Sequence, residues 1–130
     1  MKIREVKEAF ADERGSISDI FYKTKIDHVA IIKTKDSGRI IRGNHYHKHT
    51  TQHIFMTKGW LRYWYKNLGD NEPSKYVDVK EGFIVSTPPL EIHALECFLK
   101  NDFIVFSTGL RGGEDYESDT FRVESIILES

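Results

Sequence analysis

Apolar residues in this chain come in short alternating runs that break at turn signals every few positions, a rhythm that leaves few folds open. Ile17 to Tyr22, His28 to Lys33, Gly38 to Tyr46, His53 to Thr57, Trp60 to Lys66, Lys75 to Val79, Phe83 to Thr87, Ile92 to Phe98, Phe103 to Ser107 and Phe121 to Leu128 all read as strands. Asp36-Ser37-Gly38, Leu68-Gly69-Asp70-Asn71, Lys80-Glu81-Gly82 and Lys100-Asn101-Asp102 supply the turn residues between them. Ile3 to Phe10 hints at a helix and reads equally well as an edge strand. Many short strands at regular spacing predict an all-β sandwich or barrel. With 130 residues and no repeat or Pro/Gly/Ser linker, a single domain over residues 1–130 is expected.

Charge excludes several classes of partner. A net charge of −1 offers no electrostatic footprint for nucleic acid or an anionic membrane. No apolar run approaches the roughly 20 residues that a spanning helix needs, and Met1 to Glu5 lacks the apolar core of a signal peptide. The one cysteine, Cys97, has no internal partner, so a reducing cytoplasm is the simplest home.

Chemistry concentrates in the histidines. Of the six, four fall between positions 45 and 53. Residues two apart on a strand share a face, so His45 and His47 project together while Tyr46 turns away. His49 and His53 read as exposed residues beside a turn. Arg42 and Lys48 flank the pair; in a regular strand both would point to the opposite face, where a rim phosphate could meet at least one of them. Tyr63 and Tyr65 alternate within Trp60 to Tyr65, either to stack on a sugar or base or simply to pack in the core. The polar stretch Arg111 to Asp119 reads as a solvated connection, with capping of a pocket as the alternative.

A longer pattern frames the histidines. His45, His47, Gln52 and Gly59 have the spacing of the first cupin motif, and Gly82, Pro88 and His93 that of the second, with 22 residues between Gly59 and Gly82. The chain thus resembles the cupin superfamily, which implies a double-stranded β-helix, or jelly-roll barrel, with a histidine-lined pocket at His45, His47 and His93. It departs from the pattern where Gly38 lies one residue out of register, Leu90 replaces a usual glycine, Cys97 stands for a common Asn, and Gln52 replaces Glu.

Within that superfamily, Arg42-Gly43-Asn44-His45-Tyr46-His47-Lys48 looks like the signature of small cupins that act on nucleotide-linked keto-sugars. The sugar-nucleotide 3,4-ketoisomerases share this motif, a glutamine at the position of Gln52, and the early turn seen here as Asp12-Glu13-Arg14-Gly15-Ser16-Ile17. The cupin domain of capsular-polysaccharide reductases and the dTDP-4-keto-6-deoxyglucose 3,5-epimerases are similar as well. The resemblance implies an isomerase that moves the keto group of a nucleotide-linked 4-keto-6-deoxy sugar in deoxysugar or cell-surface polysaccharide biosynthesis. His45 and His47 would be its acid/base pair, and Arg42, Lys48, Gln52, Tyr63, Tyr65 and His93 its substrate-binding residues. A histidine suits proton transfer because its ordinary pKa of about 6.5 lies near cellular pH. A 3- or 3,5-epimerase, a metal-dependent dioxygenase or lyase, and a non-catalytic sugar-binding module are the competing expectations.

No cofactor is expected to be required. With Gln52 in the acidic slot, the site lacks the anionic ligand of metal cupins, although His45, His47 and His93 alone can hold zinc or nickel. Cupins of this size commonly pair through an exchanged or packed edge strand, so a homodimer is expected.

Overall fold

The computed structural model describes residues 1–35, 38–109 and 111–129. Its strands are β1 (Lys2–Glu5), β2 (Glu8–Asp12), β3 (Gly15–Ser18), β4 (His28–Lys33), β5 (Ile40–Tyr46), β6 (Gln52–Lys58), β7 (Leu61–Asn67), β8 (Lys75–Val79), β9 (Phe83–Thr87), β10 (Glu91–Cys97), β11 (Asp102–Ser107) and β12 (Phe121–Arg122). One 3₁₀ turn, Gly113–Asp115, is the sole helical element among the described residues, and no helix there is long and apolar enough to cross a membrane.

Two five-stranded antiparallel sheets carry the architecture, in the orders β1-β9-β6-β11-β4 and β12-β5-β10-β7-β8. The inner eight strands, 4-11-6-9 facing 5-10-7-8, follow the strand order of two Greek keys, which is the jelly roll expected of a cupin. Alternation explains which side faces in. Ile54 and Met56 of β6, Phe103 and Val105 of β11, Leu61 and Tyr63 of β7, and Leu95 and Cys97 of β10 fill the space between the sheets. Cys97 is a free, buried thiol there.

β10 is buried on both faces because a second apolar layer covers the outside of its sheet. Ile126 and Ile127 pack there against Trp64, Ile92 and Ala94. Asn44 ties this C-terminal cover down: its carbonyl accepts from Val123 N at 2.9 Å and its Oδ1 from Ile126 N at 3.0 Å. The sequence-based strand over Phe121 to Leu128 is therefore short, ending at Arg122, and the residues beyond it form extended cover rather than a sheet member.

Other boundaries differ for local reasons. β4, β8 and β9 coincide with the expected runs. Ile3 to Phe10 is not helical; it splits into β1, which pairs with β9, and β2, which pairs with β3. The strand expected over Ile17 to Tyr22 ends at Ser18, because its partner β2 is used up at Glu8. The expected turn at Asp36-Ser37-Gly38 lies partly outside the described residues.

The consequential irregularity is in β5. Its pairing with β10 runs Arg42↔Leu95, Gly43↔Ala94 and then His45↔His93, so Asn44 is an extra residue and the strand bulges. Gly43 (φ +89°) and Asn44 (φ +58°) take the left-handed backbone that the bulge needs. A Cβ on Gly43 would lie 2.8 Å from the His93 carbonyl oxygen, so the two strands can approach this closely only at glycine.

Leu90, at the entry to β10, also has a positive φ of +69°. It is held there by its N–H donating to the His47 carbonyl at 2.7 Å and its own carbonyl accepting from Leu68 N at 3.0 Å. A left-handed conformation costs a branched residue about 1–2 kcal/mol, of which glycine gives back roughly 0.5–1 through its looser unfolded state. Since the Leu90 side chain is half exposed, Leu90→Gly is expected to raise stability by about 0.5–1 kcal/mol. Urea unfolding midpoints of the two proteins check this, and a lower midpoint for the variant would show that the leucine side chain contributes more than its backbone costs.

Candidate functional site

The bulge decides which side chains meet. One extra residue between Arg42 and His45 shifts the strand's parity, so both fall on the inner face with their β10 partners Leu95 and His93. Arg42, itself exposed, therefore stands on the cavity wall, against the expectation for a regular strand. Lys48, beyond the bulge, keeps the expected orientation: its ammonium sits 4.4 Å above the Phe121 ring, outside the cavity wall. Tyr46 turns the same way and stacks on Phe121 at 5.3 Å.

Inside, His45, His47 and His93 converge. Their ring centroids lie 4.9, 4.7 and 5.3 Å apart, and one ring nitrogen of each falls within 4.8 Å of the other two. His45 and His93 border a cavity of about 430 Å³ between the sheets, in the size range of small-molecule sites, and His47 packs buried directly beside them. Ile32, Ile54, Leu95 and Val105 make its apolar floor; Gln52, Ser107, Arg42, Arg111 and Arg122 bring polar groups to its walls.

Each imidazole has a different environment. His47 is fully buried, and its Nδ1 donates to the Asp119 backbone carbonyl at 2.7 Å. Its Nε2 lies 3.2 Å from the Gln52 side-chain amide. His93 Nδ1 is 3.2 Å from the Glu91 carbonyl, and its ring lies parallel to that of Tyr63. His45 Nδ1 is buried with no partner at all.

Burial is the main force on their protonation. It pushes His45 down from 6.5 to about 4, helped by the nearby His47 ring and the Arg111 and Arg122 guanidinium groups. Burial likewise lowers His93 well below the ordinary range and lowers His47, although the Asp119 carbonyl partly offsets the latter. All three are thus neutral at neutral pH, the form that accepts a proton or binds a metal ion.

The metal question turns on Gln52. Three neutral imidazoles this close fit a zinc- or nickel-sized ion, but the fourth position offers a neutral amide that already faces His47. An amide also suits a proton-transferring histidine better than a carboxylate would. Turned one way its carbonyl accepts from an imidazolium; turned the other its NH₂ donates to the neutral ring.

Several sequence-predicted residues lie elsewhere. Tyr63 belongs to the core, its hydroxyl bonded to Thr87 and to Glu91 at 2.9 Å, so it does not border the cavity. Tyr65 packs half-buried against the same core and is also absent from the wall. Both follow the packing alternative, because the cavity lies toward β4 and β5 rather than toward β7 and β8.

Other wall residues escaped the sequence reading. His28, Ala30 and Ile32 face inward from β4 by simple alternation, which strand parity could have revealed. Arg111, Tyr116 and Glu117 arrive from the polar stretch read as a solvated connection or a pocket cap, where no local signal distinguishes them, and Arg122 from the strand expected over Phe121 to Leu128. Arg111 donates to Thr120 Oγ1 at 2.9 Å and stands 3.4 Å from His47 Nδ1. Arg122 pairs with Glu117. The Asp119 carboxylate accepts from the N–H groups of Lys48, His49 and Thr50, each at 2.9 Å, and from Thr50 Oγ1 at 3.0 Å. Those donors hold its pKa at about 2 despite the opposing effect of burial.

Comparison with known proteins places this geometry. The family model for the polysaccharide biosynthesis C-terminal domain matches residues 10–121. A search of curated proteins returns no sequence match. Among solved structures, a mutant of the 3,4-ketoisomerase QdtA from Thermoanaerobacterium thermosaccharolyticum, in complex with TDP, superposes with a TM-score of 0.74 at 22% identity, covering 94% of this chain and 86% of that one. The TDP-quinovose 3,4-ketoisomerase WlaRB from Campylobacter jejuni gives 0.75 at 16% identity, over 94% and 92%. The dTDP-4-dehydrorhamnose 3,5-epimerase from Sulfolobus tokodaii gives 0.69 at 19%, over 92% and 76%. These likenesses establish the fold.

Neutral, buried imidazoles make the fold sensitive to acid. The unfolded chain protonates its histidines near pH 6.5, whereas folded His45 does so only near pH 4. Its stabilising contribution is therefore complete above pH 6.5 and is lost as pH falls through that window, on the order of 3 kcal/mol for this ring. Urea midpoints between pH 7.5 and 4 are expected to fall accordingly, and to fall less in His45→Gln. Equal slopes in the two proteins would show that His45 ionises freely in the folded state.

Proposed function

As the chain belongs to the polysaccharide biosynthesis C-terminal domain family, we propose that it is an isomerase of a nucleotide-linked 4-keto-6-deoxy sugar, moving the ketone between C4 and C3. The observation that carries this reading is the convergence of His45 and His47, both neutral, at a cavity whose wall carries His45, His93 and three arginines. TDP-bound 3,4-ketoisomerases with the same fold support it, as does the glutamine that replaces a metal-binding carboxylate.

The tautomers divide the work. A carbonyl can only accept, so His47 carries its proton on Nδ1 and keeps a lone pair on Nε2. A proton on His45 Nδ1 would leave a buried donor unpaired; it sits instead on Nε2. His47 is then the base that takes the C3 proton, and His45 the acid that donates to the C4 oxygen as it gains charge. Returning the C3 proton to C4, while the C3 hydroxyl gives its own to His45, completes the transfer with no net change. Gln52 and the unpartnered Ser107 hydroxyl are placed for sugar hydroxyls, and Arg42, Arg111 and Arg122 for the diphosphate. Lys48, Tyr63 and Tyr65 have no part in binding on this reading. No metal is required, and the reaction takes place in the cytoplasm, where Cys97 stays reduced.

Incubation of chelator-treated protein with dTDP-4-keto-6-deoxyglucose in deuterated water is expected to place deuterium on the sugar ring, and His47→Asn to slow this at least about 100-fold. Absence of exchange with any dTDP-, UDP- or GDP-linked keto-sugar would remove the isomerase reading. The 3,5-epimerase likeness keeps a second outcome in view, and NMR couplings of the product separate an inverted carbon from a moved ketone.

A homodimer is part of the proposal. The β2–β3 hairpin is exposed along its whole length and carries Phe10 and Ile17 uncovered, a poor arrangement for an isolated two-stranded ribbon. β4 has a free edge and exposes Val29 and Ile31. Beside the Asp12–Arg14 pair the hairpin bears Glu8 and Glu13, while Lys23, Lys33 and Lys35 lie around β4, so a second copy meets opposite charge. Light scattering at micromolar concentration is expected to give twice the chain mass, and a monomer for Phe10→Glu/Ile17→Glu; a monomeric unmodified protein refutes the pairing.

A further inference from the structure

We propose that Asp119 is a positioning residue for His47: it fixes the imidazole in the Nδ1–H tautomer and so leaves Nε2 as the ring's only lone pair. This rests on the proton-transfer reading of His47 above and adds to it a residue from a segment that the sequence marks as mere connection. Asp119 acts from both ends. Its backbone carbonyl receives the Nδ1 proton at 2.7 Å, while its carboxylate takes four donors from the turn immediately after His47. The turn and the carbonyl are thereby locked to each other, and His47 sits between them.

No other neighbour can select the tautomer. The Gln52 atom facing Nε2 at 3.2 Å is Oε1, but a half-turn of the amide presents its NH₂ instead, so Gln52 pairs with whichever form Nε2 presents. Arg111 is a donor only and would favour a bare Nδ1, but it stands at 3.4 Å, while one of its two Nη1 hydrogens is taken by Thr120 Oγ1 at 2.9 Å. At 2.7 Å the carbonyl is the shorter partner, and it prevails. The carbonyl needs the clamp because its surroundings give little support: Glu117 and Ser118, just before it, are exposed, and besides the carboxylate the segment is held by turn hydrogen bonds such as Ser118 N to the Asp115 carbonyl at 2.9 Å, by the Arg122–Glu117 pair and by Arg111 on Thr120. Without the carboxylate, the main chain at 119 is free to move off the ring, and a displacement of about 1 Å suffices to cost roughly 100-fold in rate.

The test reads the tautomer directly, without substrate. Protein labelled with ¹⁵N-histidine is examined by two-bond ¹H–¹⁵N correlation at pH 7.5, where the two neutral tautomers give distinct patterns. Unmodified protein is expected to show His47 as Nδ1–H. Asp119→Asn, whose amide cannot accept all four donors, is expected to show a mixture at His47 alone, with His45 and His93 unchanged. Turnover in that variant is expected to fall about 100-fold in kcat with KM little altered. Thr50→Val removes a single donor and is expected to give a smaller minor tautomer; it serves where Asp119→Asn does not fold. An Nε2–H ring in the unmodified protein, or a pure Nδ1–H ring in every variant that folds, overturns the proposal. Because the spectrum needs no turnover, the expected tautomers together with an inactive protein would sink the isomerase reading and leave the role of Asp119 standing.

Discussion

Contact between Gly43 and the main chain of β10 underlies everything at the cavity wall. A side chain at position 43 would strike the His93 carbonyl, so β5 and β10 come together only where the backbone is bare, and the left-handed turn taken there extrudes Asn44 as a bulge. That single extra residue moves Arg42 from the outer face to the inner one, while the displaced Asn44 becomes the anchor for the C-terminal cover. One backbone irregularity thus supplies a cationic wall, a histidine pair and the burial of β10.

Burial then sets the chemistry. Imidazoles held between two apolar sheets lose the hydration that would stabilise a positive charge, and the three rings disfavour one another's ionisation further. A neutral ring can accept a proton; a protonated one cannot. What distinguishes the rings is the group opposite each Nδ1: a carbonyl for His47, a more distant carbonyl for His93, and nothing for His45. On the proposed reading, a carbonyl opposite Nδ1 of His47 and none opposite that of His45 separate base from acid on otherwise identical side chains.

The polar segment before β12 shows how a loop can serve a rigid scaffold. Strands position His45 and His93 through their ladders, but His47 lies just past the end of β5 and has no ladder to hold it. Arg111, Thr120 and Asp119 replace that support from a distant part of the chain. Sites assembled this way join the precision of a barrel to groups that the barrel itself does not contain.

Much of this is legible in the residues alone. Alternation and turn residues suffice for an all-β sandwich or barrel, because strand periodicity is a local property, while the jelly roll and the meeting of His93 with His45 and His47 follow from the resemblance to the cupin motifs. Parity also puts Lys48 outside the pocket correctly. It misplaces Arg42, because a bulge depends on how closely another strand approaches, which no single segment encodes. Tyr63 and Tyr65 give no hint of which side of the barrel stays hollow, and Asp119 and Arg111 sit in a stretch whose composition is that of any solvated loop. Local sequence determined which faces are apolar and where chemistry gathers; only the tertiary structure, through a contact between residues some seventy positions apart, decided what the Nδ1 of His47 faces.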